Sequence, residues 1–284
     1  MGTPAAAAGT VRVGDRTVNR MGFGAMRITG DGIWGPPADP EGARALLRRV
    51  VELGVNLIDT ADAYGPGTSE ELIAEALHPY PGDLVIATKG GLLRSGPGRW
   101  DPDCRPDHLK RSCEESLRRL RVDRITLYQL HTGTDPDVAF ADSVGALAEL
   151  RAEGKIEHVG LSNVTLEQVR EAESIVPIVS VQNRYGLWER DGEDVIEHCE
   201  REGLAFLPWY PLAAGAIVRP GDDLDGVAAE HGASRVQVAL AWLLQRSPSM
   251  LPIPGTSRVE HLEENVGAAA IRLTDHQMQR LEEM

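Results

Sequence analysis

Short, almost wholly apolar runs alternate along the chain with stretches in which apolar residues recur every three or four positions. The runs fall at residues 21–24, 55–58, 84–88, 125–130, 158–162, 178–181, 204–207 and 250–253. Each has the length and apolar content of a strand buried on both faces. Between them lie helical spacings, such as Ala43, Leu46, Leu47, Val50 and Val51. Start signals reinforce these helices. Asp39-Pro40 sets an N-cap before a proline at the first position, and Thr165-x-x-Gln168, Ser234-x-x-Gln237 and Thr274-x-x-Gln277 are capping boxes. Before all of this, residues 11–18 alternate around Gly14-Asp15, the signal of a β-hairpin.

Eight strands alternating with helices, without a low-complexity linker, predict an α/β protein with a parallel sheet covered by helices. One chain of 284 residues suits a closed (β/α)8 TIM barrel, with an N-terminal β-hairpin and an extra C-terminal helix. The competing doubly wound sheet would carry Gly-x-Gly-x-x-Gly after an early strand, and no such motif occurs. Residues 11–284 are expected to form a single domain. The Ala-rich residues 1–10 are expected to be a disordered tail, without the basic region and apolar core of a signal peptide.

Composition narrows the function. Lys and Arg number 29 against 43 Asp and Glu, a net charge of −14. That disfavours a nucleic-acid or anionic-membrane surface. No apolar run approaches a membrane span. Cys104, Cys113 and Cys199 are odd in number and match no metal spacing, so they read as reduced thiols in a cytoplasmic protein.

The candidate chemistry lies where the strands end. Five apolar runs finish on Asp59, Lys89, His131, Asn163 and Gln182, and Tyr64 follows Asp59 by five residues. In a barrel, parallel strands end on one rim, so these side chains converge there. A lysine can pair with the carboxylate and favour a phenolate in the tyrosine, lowering its pKa. A tyrosine so tuned is a usable general acid. A neutral histidine can donate a hydrogen bond to a carbonyl oxygen. No nucleophile with its base is present, which argues against acyl transfer. A hydride from a nicotinamide would complete carbonyl reduction.

Over nearly its whole length the sequence resembles the aldo-keto reductase family. Asp59-x4-Tyr64, Lys89 and His131 look like its catalytic tetrad. Gly160-Leu161-Ser162-Asn163 and Val181-Gln182-Asn183 look like further family motifs. So does the segment Ile253-Pro254-Gly255-Thr256-Ser257-Arg258 with Glu264-Asn265. The resemblance implies an NADPH-dependent reductase of aldehydes and ketones, with NADH as the other possible donor. It implies that Ser162, Asn163 and Gln182 hold the nicotinamide carboxamide, and that Trp209 stacks on the ring. Tyr210, Pro211, Leu212 and Gly215 would follow the pyrophosphate, and Gly24 and Met26 would lie near the nicotinamide. Gly255, Thr256, Ser257, Arg258, Glu264 and Asn265 would hold the adenosine phosphate. Many members have lysine where this chain has Gly255 and arginine where it has His261. Other branches use the Gly-Thr-Ser-Arg form, in which Arg258 would take the lysine's place.

Trp34 and Trp100 fall in rim loops and are candidates for the substrate pocket. The expected partner is a small carbonyl compound. Two other classes remain open at this stage. One is a nucleotide-binding regulatory subunit of the same fold with little turnover. The other is a metal-dependent barrel hydrolase using Asp59 and His131, disfavoured by the absence of a close ligand cluster. The resemblance fixes neither the substrate nor the oligomeric state.

Overall fold

In the computed structural model, residues 2–210 and 223–284 are described. Seven parallel strands form one sheet in chain order: β1 (Phe23–Gly24), β2 (Leu57–Asp59), β3 (Val85–Gly90), β4 (Ile125–Leu130), β5 (Ile156–Ser162), β6 (Ile178–Gln182) and β7 (Ala205–Phe206). Helices lie between them: α1 (Pro40–Glu52), α2 (Thr68–Leu77), α3 (Pro106–Leu120), α4 (Phe140–Ala152), α5 (Leu166–Glu173) and α6 (Glu193–Glu202). Then come α7 (Asp223–His231), α8 (Arg235–Arg246), α9 (Val259–Gly267) and α10 (Asp275–Glu282).

Residues 250–254 close the sheet into a barrel. Phe206 N–H donates to Ser249 O at 2.9 Å, and Leu251 N–H donates to Phe206 O at 2.8 Å. On the other side Gly22 N–H reaches Pro252 O at 2.9 Å, and Gly24 N–H reaches Pro254 O at 3.5 Å. This eighth segment makes only a partial ladder because Pro252 and Pro254 have no N–H to donate. A similar constraint shortens β7. The apolar run continues through Leu207, but Pro208 offers the eighth segment no N–H. Trp209 N–H reaches Asn183 O at 3.0 Å on the β6 side, and Tyr210 then turns into a left-handed conformation (φ 62°).

The apolar layer inside the barrel joins Leu57, Val85, Ala87, Leu127, Ala205, Leu207, Leu251 and Ile253 to Val13 and Val18. Those two valines belong to the hairpin of Thr10–Val13 and Arg16–Asn19, which plugs one end. A larger apolar layer lies between sheet and helices. All three capping boxes form, with the Thr165, Ser234 and Thr274 side chains accepting from the predicted glutamines' backbone N–H groups.

Two expectations need correcting. Residues 1–10 are not a disordered tail throughout: Pro4–Ala8 form a 3₁₀ turn with Ala5 fully buried and its N–H on Leu53 O at 3.1 Å. The alanines are small enough to fill the space beyond α1, and that burial ties them down. Helix α7 was not anticipated, because Gly226 interrupts it and its apolar spacing is weak. No described helix is long and apolar enough to cross a membrane.

Closure demands close backbone approach between β1 and the segment after residue 253. A Cβ on Gly24 would lie 2.7 Å from Ile253 O, and one on Gly255 would lie 2.7 Å from Gly24 O. Backbone cannot yield as a flexible side chain can. Gly24→Ala is therefore expected to lower stability by about 1–3 kcal/mol, read from the urea midpoint.

Candidate active site

The register of the sheet assembles the site. Asp59 closes β2 beside Gly24 and Ala87, and Lys89 on β3 pairs with Gln129 on β4. His131 follows β4, its backbone N–H held by Gly90 O at 2.9 Å. Tyr64 is carried inward by a tight loop in which Tyr64 N–H bonds Ala61 O and Gly67 N–H bonds Asp62 O. The four residues of the expected tetrad thus meet at the carboxyl rim.

Lys89 is completely buried. Its Nζ donates to Asp59 Oδ2 at 2.7 Å, Thr60 O at 2.8 Å and Tyr64 Oη at 3.3 Å. Those three acceptors match the three ammonium protons. Asp59 Oδ1 accepts from Gln129 Nε2 at 3.1 Å and Gln182 Nε2 at 2.8 Å. Burial works against the charged lysine, yet Asp59 and Tyr64 outweigh it and hold its pKa above the ordinary value.

The sequence predicts a lowered pKa for Tyr64, and the structure overturns that. Burial raises the phenol above its ordinary value and outweighs the nearby Lys89 cation. His131 is pushed well below its ordinary value by burial and then by Lys89, so the ring is neutral. Its Nδ1 is buried without a hydrogen-bond partner among the described residues. The Tyr64 and His131 rings meet edge to face, 5.8 Å between centroids.

Asp59, Tyr64 and His131 floor a cavity of about 450 Å³, with Lys89 buried beneath them. Its walls include Gly24, Met26, Ser162, Asn163, Gln182, Trp209, Tyr210 and Gly255 from the expected cofactor set, together with Trp100. Trp34 does not line it. That indole is part-exposed in the neighbouring loop, 5.9 Å from the Arg94 guanidinium. Thr256, Ser257 and Arg258 lead from Gly255 into α9, which carries Glu264 and Asn265. Pro211, Leu212 and Gly215 lie outside the described residues.

Asn163 is more heavily engaged than its position suggests. It sits at φ 56°, a conformation asparagine tolerates better than most residues. Its Nδ2 donates to His131 O at 2.9 Å and Ser162 Oγ at 3.1 Å, and its Oδ1 accepts from Trp209 Nε1 at 2.9 Å. It therefore links the backbone of His131 to the indole of Trp209.

Three contributors lie outside the residues expected from the sequence. Gln129 holds Asp59, and its signal was a polar residue two positions before His131, on the same face of the strand. Ile33 lines the cavity in a left-handed conformation (φ 56°), which no sequence pattern announces. Arg27 also lines the cavity, exposed and without an ion pair or hydrogen bond among the described residues.

A closed parallel barrel with this group at its carboxyl rim defines a barrel enzyme. The Aldo/keto reductase family model matches residues 20–284. An uncharacterized oxidoreductase of Schizosaccharomyces pombe is 55% identical over 279 residues, 98% of this chain and 90% of that one. Pyridoxine 4-dehydrogenase of Escherichia coli is 42% identical, covering 96% of this chain and 97% of its own. The crystal structure of an aldo-keto reductase from Klebsiella pneumoniae in complex with NADPH superimposes with a TM-score of 0.81. It is 28% identical over 96% of this chain and 94% of that one. The chain is an oxidoreductase and belongs to the aldo-keto reductase family.

Behind the tyrosine loop lies a titratable group outside the tetrad. Asp62 accepts from Ser112 Oγ through one oxygen, while the other is buried without a partner among the described residues. Burial raises its pKa from 3.8 to about 7, with Ser112 opposing and Glu70 adding to the rise. A raised carboxyl contributes stability fully below its unfolded value, and that contribution is lost as pH rises through about 7. Asp62→Asn is expected to remove this component. Urea midpoints measured from pH 4 to 8 should fall less steeply with pH than in the parent, and parallel profiles would refute the assignment.

Proposed function

We propose that the chain is an NADPH-dependent carbonyl reductase in which Tyr64 is the general acid. One observation carries this reading: a buried Lys89 bridges Asp59 to the Tyr64 hydroxyl, directly beneath a cavity floored by Asp59, Tyr64 and a neutral His131. The residues present suit a nicotinamide cofactor. Gln182 donates its Nε2 to Asp59, and its carbonyl oxygen, which has no partner among the described residues, can accept from a carboxamide. Gly24 and Gly255 give backbone-only surface along the cleft. Trp209 offers a ring face.

Arg258 supports a phosphate-bearing cofactor. It is exposed at the start of α9, with Glu260 at 3.5 Å, and its backbone N–H is held by Thr256 Oγ1 at 3.1 Å. A guanidinium at a helix N-terminus is a fitting 2′-phosphate partner. The NADPH complex of the Klebsiella relative points the same way. NADPH, when bound, supplies the hydride to the carbonyl carbon.

The protein's own groups handle the oxygen. The Tyr64 hydroxyl accepts from Lys89, so its own proton is free to point into the cavity and pass to the carbonyl oxygen. Lys89, held charged by Asp59, stabilises the phenolate left behind. Neutral His131 orients the carbonyl oxygen as a hydrogen-bond donor. The relative named pyridoxine 4-dehydrogenase acts on a ring-borne alcohol. That name, together with Tyr64, Trp100 and Trp209 around the cavity, favours an aromatic aldehyde such as pyridoxal among the substrates.

The test is NADPH oxidation followed at 340 nm as ~1 µM–1 mM carbonyl is varied over aldehydes, ketones and dicarbonyls, pyridoxal included, then repeated with NADH. Tyr64→Phe should keep NADPH affinity and lose about 10²–10⁴-fold in kcat. Near-normal turnover by that variant, with chemistry limiting the rate, would remove Tyr64 from the acid role.

A further inference from the structure

Arg94 lies outside the tetrad, in the long loop after β3. Two short strands, Leu92–Leu93 and Asp101–Pro102, pair across the base of this loop. All its donors end on backbone carbonyls. Nε reaches Arg99 O at 2.7 Å, and Nη1 reaches Ile33 O at 2.9 Å and Ala63 O at 3.0 Å. Nη2 reaches Gly32 O at 2.8 Å and, more weakly, Gly96 O at 3.5 Å. A guanidinium has five N–H groups, and five carbonyls take them. Among the described residues no carboxylate pairs with it. Its cation lies instead 3.8 Å from the centroid of the Trp100 ring and 5.9 Å from that of Trp34.

The groups it holds are those that shape the cavity. Ala63 immediately precedes Tyr64. Ile33 lines the cavity in its left-handed conformation, and its carbonyl also receives Gly65 N–H at 3.3 Å. Gly35 N–H returns to Gly65 O at 3.2 Å, completing the link between the two loops. Trp100 meets the edges of both Tyr64 (6.2 Å) and His131 (6.3 Å).

We propose that Arg94 is a positioning residue that fastens three loops into one rigid rim, so that Trp100 stands as a fixed aromatic wall above Tyr64 and His131. The consequence is selectivity for ring-bearing carbonyl substrates over small aliphatic ones, which do not reach that wall. Its kinetic consequence rests on the carbonyl-reductase reading, and its structural consequence does not. Lysine cannot replace Arg94, because a single ammonium has three donors at one point and cannot span five carbonyls.

Arg94→Met and Arg94→Lys test this with benzaldehyde and propanal as paired probes. For both variants KM for benzaldehyde should rise about tenfold, with kcat and the NADPH dissociation constant within about twofold of the parent. KM for propanal should hold. Trp100→Ala should raise the benzaldehyde KM by a similar factor, and the Arg94→Met/Trp100→Ala double variant should add little to either single change. A merely structural weakening would raise both KM values together. Equal loss on both aldehydes, full activity in Arg94→Lys, or multiplicative effects in the double variant would each overturn the proposal.

A second measurement does not depend on turnover. Hydrogen exchange at the Gly35 and Gly65 amides should accelerate in Arg94→Lys while barrel-strand amides keep their protection. Unchanged exchange there overturns the fastening role. If the parent itself reduces no carbonyl, the carbonyl-reductase reading and its proposed substrate selectivity fail, and the exchange result decides the fastening role alone.

Discussion

A fully buried ammonium is the constraint around which this barrel rim is arranged. Removing Lys89 from water costs several kcal/mol unless every proton finds an acceptor and the charge finds a counter-ion. Asp59, Thr60 O and Tyr64 Oη meet that demand. The carboxylate imposes a demand in turn, and its second oxygen draws in Gln129 and Gln182. One ion pair therefore fixes side chains from β2, β3, β4 and β6 relative to one another. Removing either charge would strand the other at low dielectric, so the contacts proposed to serve chemistry also specify the rim. The lysine charge reaches further, because it helps burial keep His131 neutral.

Around that centre the chain uses backbone as well as side chains. Glycines at positions 24 and 255 let β1 approach the eighth segment, whose prolines leave the barrel seam only partly laddered. Asn163 holds a left-handed conformation while tying His131 O, Ser162 and Trp209 together. Those contacts hold the conformation in place. A second polar layer supports the tyrosine loop from behind. There the buried Glu70 accepts from Thr88 Oγ1 at 2.5 Å and from Arg119 Nε at 2.6 Å, next to Asp62.

Much of this was legible in the sequence because barrel strands obey simple rules. Apolar runs ending on Asp59, Lys89, His131 and Gln182 predict that these residues share one rim, and the structure brings them together there, because parallel strands end on the same side. Helix starts at Thr165, Ser234 and Thr274 were readable because the capping residue and its partner are three positions apart. What escaped detection depends on three-dimensional closure. Ala5 looks like tail until it is seen packed beyond α1. Trp34 and Trp100 are equivalent as loop tryptophans, and only the fold shows that Trp100 lines the cavity while Trp34 stands outside it at the far end of Arg94's reach. Gln129 shares a strand face with His131, but which carboxylate it holds depends on the barrel's register, and the left-handed turn at Ile33 has no local signature.

The Tyr64 pKa is the most instructive difference. Proximity of a lysine to a phenol suggests a lowered pKa when only charges are counted. Burial is the larger effect here, and Asp59, which neutralises part of the lysine's field, pushes in the same upward direction. A raised phenol is nevertheless compatible with the proposed role. A general acid must hold its proton until the oxygen it faces becomes basic, and a phenol in its resting state above the ordinary value does so across the neutral range. The lysine's contribution then lies in the product of proton transfer rather than in the resting state. The Nζ–Oη contact at 3.3 Å is long for a charge-assisted hydrogen bond, and a phenolate would attract the ammonium far more strongly than a neutral hydroxyl does. Stabilisation that grows as the proton leaves favours the transition state over the ground state, which is the form in which binding energy accelerates a reaction.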